Sequence, residues 1–184
     1  MKLILASNSP RRKQLLTEAG LTFSVIPSNF KEEENCGLPP ALYCKQLAEN
    51  KAKSVYNKDD SIVLGADTIV VFNGEILGKP KDKNDAINML TKLSGNKHLV
   101  ITGYAIIKNG VVYSGYEETF VEFNNLSPTL IKDYVESGSP LDKAGAYGIQ
   151  DGYELVKNIL GDYNNVVGLP VNKILEILSN ITNK

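Results

Sequence analysis

Asn-Gly stands twice between β-branched runs, at Asn73-Gly74 and at Asn109-Gly110. That dipeptide tolerates the two positive φ values of a type I′ turn, so each occurrence signals a β-hairpin. Around the second, residues 99–107 and 111–123 predict two long strands. Around the first, residues 68–72 lead through the turn to residues 75–77. Two-residue turns join antiparallel strands, whereas parallel strands need long crossovers. The chain is therefore no regular alternation of parallel strands and crossover helices.

Helices are predicted between these strands. Ser9-Pro10 supplies cap and first-turn chemistry for a helix over residues 11–19, and Gly20 stops it. Leu47, Ala48, Ala52 and Val55 recur at helical spacing in residues 41–55, and Ala86, Met89, Leu90 and Leu93 do so in residues 85–93. Ser127-Pro128 opens another helix, and Pro170 opens a last amphipathic one. Short strands are expected over residues 3–6, 22–26, 61–64 and 153–159, and a polar loop over residues 29–40. The expected class is α/β, with a mixed, partly antiparallel sheet and flanking helices.

Composition narrows the function. The chain has 184 residues, with 20 Lys+Arg against 21 Asp+Glu and a net charge of -1. Such a length predicts one domain, or two small lobes sharing a core. Near-neutrality argues against a nucleic-acid partner, which usually requires a basic excess. No apolar run approaches a membrane span, and the N-terminal one is too short for a signal peptide. A cytoplasmic protein is expected. One His and two Cys exclude a multi-histidine metal centre and a zinc framework. Cys36 and Cys44 are expected as reduced packing residues.

The cations are unevenly divided. Of the 20, only Arg11 and Arg12 are arginines, and they are adjacent. Arginine's planar fork matches phosphate as lysine's point charge does not. Ser7, Ser9, Arg11 and Arg12 surround a strand-to-helix junction, where backbone N–H groups and the helix dipole favour an anion. An anion cradle is preferred here over a plain capped helix. Asp67, in Gly65-Ala66-Asp67-Thr68, follows the apolar run Ile62-Val63-Leu64. At a strand edge or bulge it would bind a divalent cation or activate water; as an Asx-turn between two strands it would be structural. Both readings stay open. Lys51 and Lys79, taken singly, read as solvated lysines or as phosphate ligands. Glu32-Glu33-Glu34 reads first as a solvated run, and Gln150 as part of a Gly-flanked turn or as an amide that reads a base edge. His98 reads as structural.

The motifs Leu5–Arg12, Lys51-Ala52, Leu64–Val70, Gly78-Lys79-Pro80, Leu93–His98, Asp142–Gln150 and Val166–Pro170, in this order, resemble the Maf family of septum-formation-like nucleoside triphosphate pyrophosphatases. The resemblance runs over essentially the whole chain, residues 1–184, as a single domain. It implies two lobes around a cleft, a fold similar to the inosine-triphosphatase group, and hydrolysis of a triphosphate to monophosphate and pyrophosphate. The cofactor implied is a divalent cation, Mg²⁺ or Mn²⁺, held by Asp67 and Glu32. Asp67 is the implied proton acceptor. Ser7, Arg12, Lys51 and Lys79 are the implied phosphate ligands.

Arg11, Thr68 and Gln150 match the positions that mark the dTTP/UTP subclass. A sister subclass acting on 7-methyl-GTP departs there. Gly usually follows that Gln in the family, and this chain carries Asp151, an extra negative charge. A nucleotide-binding regulator of septum formation that does not hydrolyse is the alternative in another class. The long hairpins leave a homodimer open.

Overall fold

Both Asn-Gly dipeptides form the turns expected of them. Asn73 and Gly74 have φ of 50° and 81°, and Asn109 and Gly110 have φ of 51° and 78°. The structure is a computed structural model, and it describes residues 2–32, 37–57 and 60–182. Its elements are β1 (Leu3–Leu5), α1 (Pro10–Glu18), β2 (Phe23–Val25), α2 (Pro40–Val55), β3 (Ile62–Phe72), β4 (Glu75–Leu77) and α3 (Lys83–Leu93). Then follow β5 (Lys97–Lys108), β6 (Val111–Phe123), α4 (Pro128–Glu136), β7 (Val156–Leu160), α5 (Tyr163–Val167) and α6 (Val171–Thr182). Two 3₁₀ turns, Ser139–Asp142 and Ala144–Ala146, precede β7. Strands pair in the order β2-β1-β3-β5-β6-β7, and β4 pairs with β3. The sheet is mixed: β1 is parallel to β2 and β3, while β4 is antiparallel to β3 and β7 to β6. No helix among the described residues is long and apolar enough to cross a membrane.

The chain divides into two compact units. The first comprises Met1–Thr68, Thr102–Glu117 and Gly168–Lys184, and the second Ile69–Ile101 and Glu118–Val167. In the first unit Ile4, Ala6, Val63, Ala105 and Ile107 pack with Ala48 and Ala52 of α2. The residues on α2 are small because its backbone lies almost on the strands. A Cβ placed on Gly65 would collide with the Ala48 carbonyl oxygen and stand 2.6 Å from Ala52 N. One on Gly103 would collide with the Cys44 carbonyl and stand 2.7 Å from Lys45 N. Glycine inside a strand often marks such an approach of two backbones.

That contact corrects one expectation. Residues 61–64 and 68–72 were expected as separate strands, with Asp67 at a rim or in an Asx-turn. Instead β3 runs unbroken through Gly65, Ala66 and Asp67, and Asp67 is 8% exposed. Gly65 gives the helix room rather than breaking the strand. The last strand is also displaced, to Val156–Leu160.

In the second unit, α3 and α4 cover a core that includes Leu90, Leu93, Val121, Phe123, Ile131, Tyr134 and Leu155. Ser127 caps α4 by accepting from Leu130 N at 3.1 Å, and Asp82 caps α3 by accepting from Asp85 N at 2.8 Å. His98 is buried here against the Phe123 and Tyr147 rings, with centroids 4.9 and 5.3 Å away. Its Nε2 lies 2.7 Å from the Tyr147 hydroxyl, and its Nδ1 has no hydrogen-bond partner. Burial lowers this imidazole from 6.5 to about 4.

Two expectations follow for stability. Gly65→Ala and Gly103→Ala each force backbone displacement and lower unfolding free energy by about 1–3 kcal/mol, read from urea midpoints. A midpoint equal to that of the parent would show that α2 is not held at this distance. His98 is neutral in the fold and protonates more readily when unfolded. Its contribution is present above pH 6.5 and is lost as the pH falls towards 4. The full span amounts to on the order of 3 kcal/mol. His98→Gln should flatten the stability profile across that window, and an unchanged slope would refute the assignment.

Candidate functional site

The first unit gathers Ser7, Arg12, Glu32, Lys51, Asp67 and Thr68. Alternation along β3 puts Gly65 and Asp67 on one face and Thr68 on the other. The face that brings α2 close at Gly65 therefore also carries Asp67 towards that helix. Lys51, one residue before the Ala52 that contacts Gly65, forms an ion pair with Asp67 Oδ1. The same Nζ lies 2.6 Å from Glu32 Oε1. One ammonium thus bridges two carboxylates, one buried and the other 53% exposed. Burial pushes the Asp67 carboxyl above its ordinary value, against the pull of Lys51 and Arg12, and Glu32 pushes the same way.

Cys44 supports this arrangement from behind. Its thiol donates to the Asp67 backbone carbonyl at 3.3 Å and accepts from Gly103 N at 3.1 Å. Burial, and then Asp67, push the thiol up to about 12, so it stays protonated and can donate. Sequence reasoning took Cys44 for packing alone. Its spacing from Lys51 on one helix, i to i+7, was the available signal.

Arg12 points inward from the first turn of α1. Its Nε donates to Gly168 O at 2.8 Å, Nη1 to Ser7 Oγ at 3.2 Å and Nη2 to Thr68 Oγ1 at 3.0 Å. Thr68 Oγ1 is also 2.9 Å from Thr102 Oγ1. Burial lowers the guanidinium from its ordinary value, opposed by Asp67. Ser7 Oγ further accepts from Ser9 N at 3.2 Å, and Ser9 caps α1 by accepting from Arg12 N at 3.4 Å. The capped strand-to-helix junction forms where the sequence placed it. Arg12 acts within it as a clamp on protein groups. Thr102 was not singled out by sequence, and Gly168 entered only within the Val166–Pro170 motif, with no role of its own.

Arg11 is half-buried on the same turn. Lys79 and Gln150 are exposed residues of the second unit. Their segments are tied there by Gly145 N, which donates to Gly78 O at 3.0 Å. Glu33, Glu34 and Cys36 lie outside the described residues.

Chemically, the first unit offers a buried carboxylate paired with an ammonium beside a cationic, hydroxyl-lined junction. Such a set suits proton abstraction next to an anionic group. Among the described residues, no group of three or more His, Cys, Asp and Glu is arranged to hold a metal ion. The pair Asp67 and Glu32 already converges on one cation, the Lys51 ammonium. Two hard carboxylates completed by phosphate and water are a usual donor set for Mg²⁺, so the residues present fit one.

The family model described as Maf-like protein matches residues 2–181. A dTTP/UTP pyrophosphatase from Aquifex aeolicus (strain VF5) is 46% identical over 97% of this chain and 94% of its own length. Relatives of the same name from Thermosipho africanus (strain TCF52B) and Alkaliphilus oremlandii (strain OhILAs) are 49% and 50% identical. Each match spans 97% of this chain, with 92% and 95% of the relatives' own lengths. Among solved structures, a HAM1 protein from Coxiella burnetii has a TM-score of 0.52 at 14% identity, covering 100% of both chains. The Staphylococcus aureus Ham1 protein has a TM-score of 0.51 at 14% identity, covering 98% of this chain and 99% of its own. These two likenesses concern the fold.

The clamp makes a distinct prediction. Arg12→Lys removes the fork that joins Ser7, Thr68 and Gly168, and should lower unfolding free energy by about 2 kcal/mol. Urea unfolding without nucleotide measures it. A parent-like midpoint with weakened nucleotide binding would make Arg12 a phosphate ligand alone.

Proposed function

The chain belongs to the Maf family, and from that membership we propose that it hydrolyses dTTP and UTP to their monophosphates and pyrophosphate, as nucleotide-pool housekeeping. The observation that carries this reading is the ion-paired, buried Asp67 beside the Ser7–Arg12 junction. It rests further on relatives of that name matching nearly the whole chain. Residues 1–184 act as one domain in this reading, in the cytoplasm, and a homodimer belongs to the same proposal.

A triphosphate carries a charge near ~-4, which must be offset before water can attack phosphorus. Arg12 and Lys51 supply positive charge, Ser7 donates a hydrogen bond, and Lys79 binds phosphate by its place in the family's motifs. Asp67 takes the proton from the water that attacks the α-phosphorus, and pyrophosphate leaves. Its raised pKa makes it a better-matched base than an ordinary carboxylate, provided Lys51 keeps it ionised. Asp67 and Glu32 would hold a divalent cation, which when bound neutralises phosphate charge. Arg11, Thr68 and Gln150 discriminate the base.

The test is product identity. With Mg²⁺ and either dTTP or UTP, the expected products are the nucleoside monophosphate and pyrophosphate. Diphosphate with orthophosphate would overturn the reaction. Tight binding without turnover would favour a nucleotide-sensing regulator, and turnover confined to 7-methyl-GTP would favour the sister specificity. Asp67→Asn should retain the fold and dTTP binding while losing about 10²–10⁴-fold in kcat. Near-normal turnover would remove Asp67 from the role of base.

A further inference from the structure

The turn that carries Gln150 is held more firmly than a surface turn needs. Asp151 N donates to Gly148 O at 3.1 Å, which makes Gly148-Ile149-Gln150-Asp151 a β-turn with Gln150 at its third position. Both ends are fixed by side chains from elsewhere in the second unit. At the first, Gly148 N donates to the Tyr134 hydroxyl at 2.8 Å. At the last, Asp151 Oδ2 accepts from that same hydroxyl at 2.6 Å and from Ser139 Oγ at 2.7 Å. Lys143 Nζ lies 3.4 Å from Asp151 Oδ2 and 3.0 Å from Asp142 Oδ1, and it donates to the Ser139 carbonyl. The Asp151 side chain is 11% exposed and that of Lys143 9%. A Cβ on Gly148 would stand 2.6 Å from Asp151 Oδ1 and 2.7 Å from Lys143 Cε, so no room is left for slack.

The negative charge at position 151 is therefore directed into the fold, on Lys143, Tyr134 and Ser139. Tyr134 closes the ring by accepting from one end of the turn and donating to the other. Burial, and then Asp151, raise the phenol above its ordinary value, so it remains a donor. Ile149 and Gln150 are left as the two central residues of a turn whose ends cannot shift independently. A side-chain amide that reads a base edge must present its donor and acceptor together, and a small displacement loses both bonds.

We propose that Asp151 is a positioning residue for Gln150. By pinning the end of the turn to Tyr134, Ser139 and Lys143, it fixes the direction from which the Gln150 amide meets the pyrimidine. This rests on the reading of Gln150 as a base-reading residue. Asp151 touches no substrate in this account, and its effect on discrimination passes wholly through Gln150.

The experiment compares steady-state kcat/KM for dTTP and dCTP, which share a pyrimidine ring and triphosphate but reverse the donor and acceptor at the 4-position. The full chain is used, with Asp151→Gly, Gln150→Ala and their double variant. Asp151→Gly should reduce the dTTP-to-dCTP ratio about tenfold, through KM for dTTP, while kcat stays near the parent value. The double variant should discriminate no worse than Gln150→Ala, because a positioning residue has nothing left to position. If Asp151→Gly does not fold, Tyr134→Phe removes the hydroxyl shared by both ends of the turn and should reduce the ratio in the same direction. Asp151→Asn keeps an acceptor for Tyr134 and Ser139, and should recover part of the ratio. Equal losses for both nucleotides, or independent losses multiplying in the double variant, would overturn the proposal. An unchanged ratio in Gln150→Ala would overturn the base-reading role and this proposal with it. A collapsed ratio in Gln150→Ala but a parent ratio in the Asp151 and Tyr134 variants would overturn only the role of Asp151.

Discussion

The approach of the α2 backbone to the sheet at Gly65 and Gly103 is the constraint on which the rest of the first unit depends. It involves no charge and no hydrogen bond between side chains. Two missing Cβ atoms allow one helix to lie against β3 and β5, and small residues at Ala48 and Ala52 complete the contact. The position of Lys51 relative to Asp67 then follows from helical geometry. So does that of Cys44, whose thiol meets both the Asp67 carbonyl and Gly103 N. Moving α2 outward by one methyl group would loosen an ion pair and two hydrogen bonds together.

The electrostatics build on that placement. Desolvation favours the neutral form of the Asp67 carboxyl. Lys51 and Arg12 work against this, and Glu32 limits how far they succeed. With the two cations favouring the ionised carboxylate and burial and Glu32 opposing them, the net direction is upward. Arg12 has a second task in the same space. It joins the start of α1, the middle of β3 and the segment before α6 into one hydrogen-bonded junction.

Local patterns carried the hairpins, the helix caps at Ser9 and Ser127, and the class of fold, because each depends on residues within a few positions of one another. Asp67 shows where this stops. Gly65 before it is equally a breaker or a point of close approach, and only the presence of α2 above it decides. The Arg12 clamp was beyond local reading for another reason: Gly168 lies 156 residues from Arg12, and it contributes a backbone carbonyl that any residue type would supply. Asp151 was legible as a departure in charge, but not in direction. Its partners Tyr134, Ser139 and Lys143 come from a helix and a turn whose packing no periodicity describes.

The long reach from Arg12 to Gly168 also orders events in time. A chain emerging from the ribosome releases every segment of the second unit, Ile69–Ile101 and Glu118–Val167, before Gly168 exists outside the tunnel. The first unit, begun by the earliest residues, must wait with Ser7, Arg12 and Thr68 lacking their last backbone partner. The Arg12 clamp therefore gains its full set of partners only once every segment of the second unit has been synthesised.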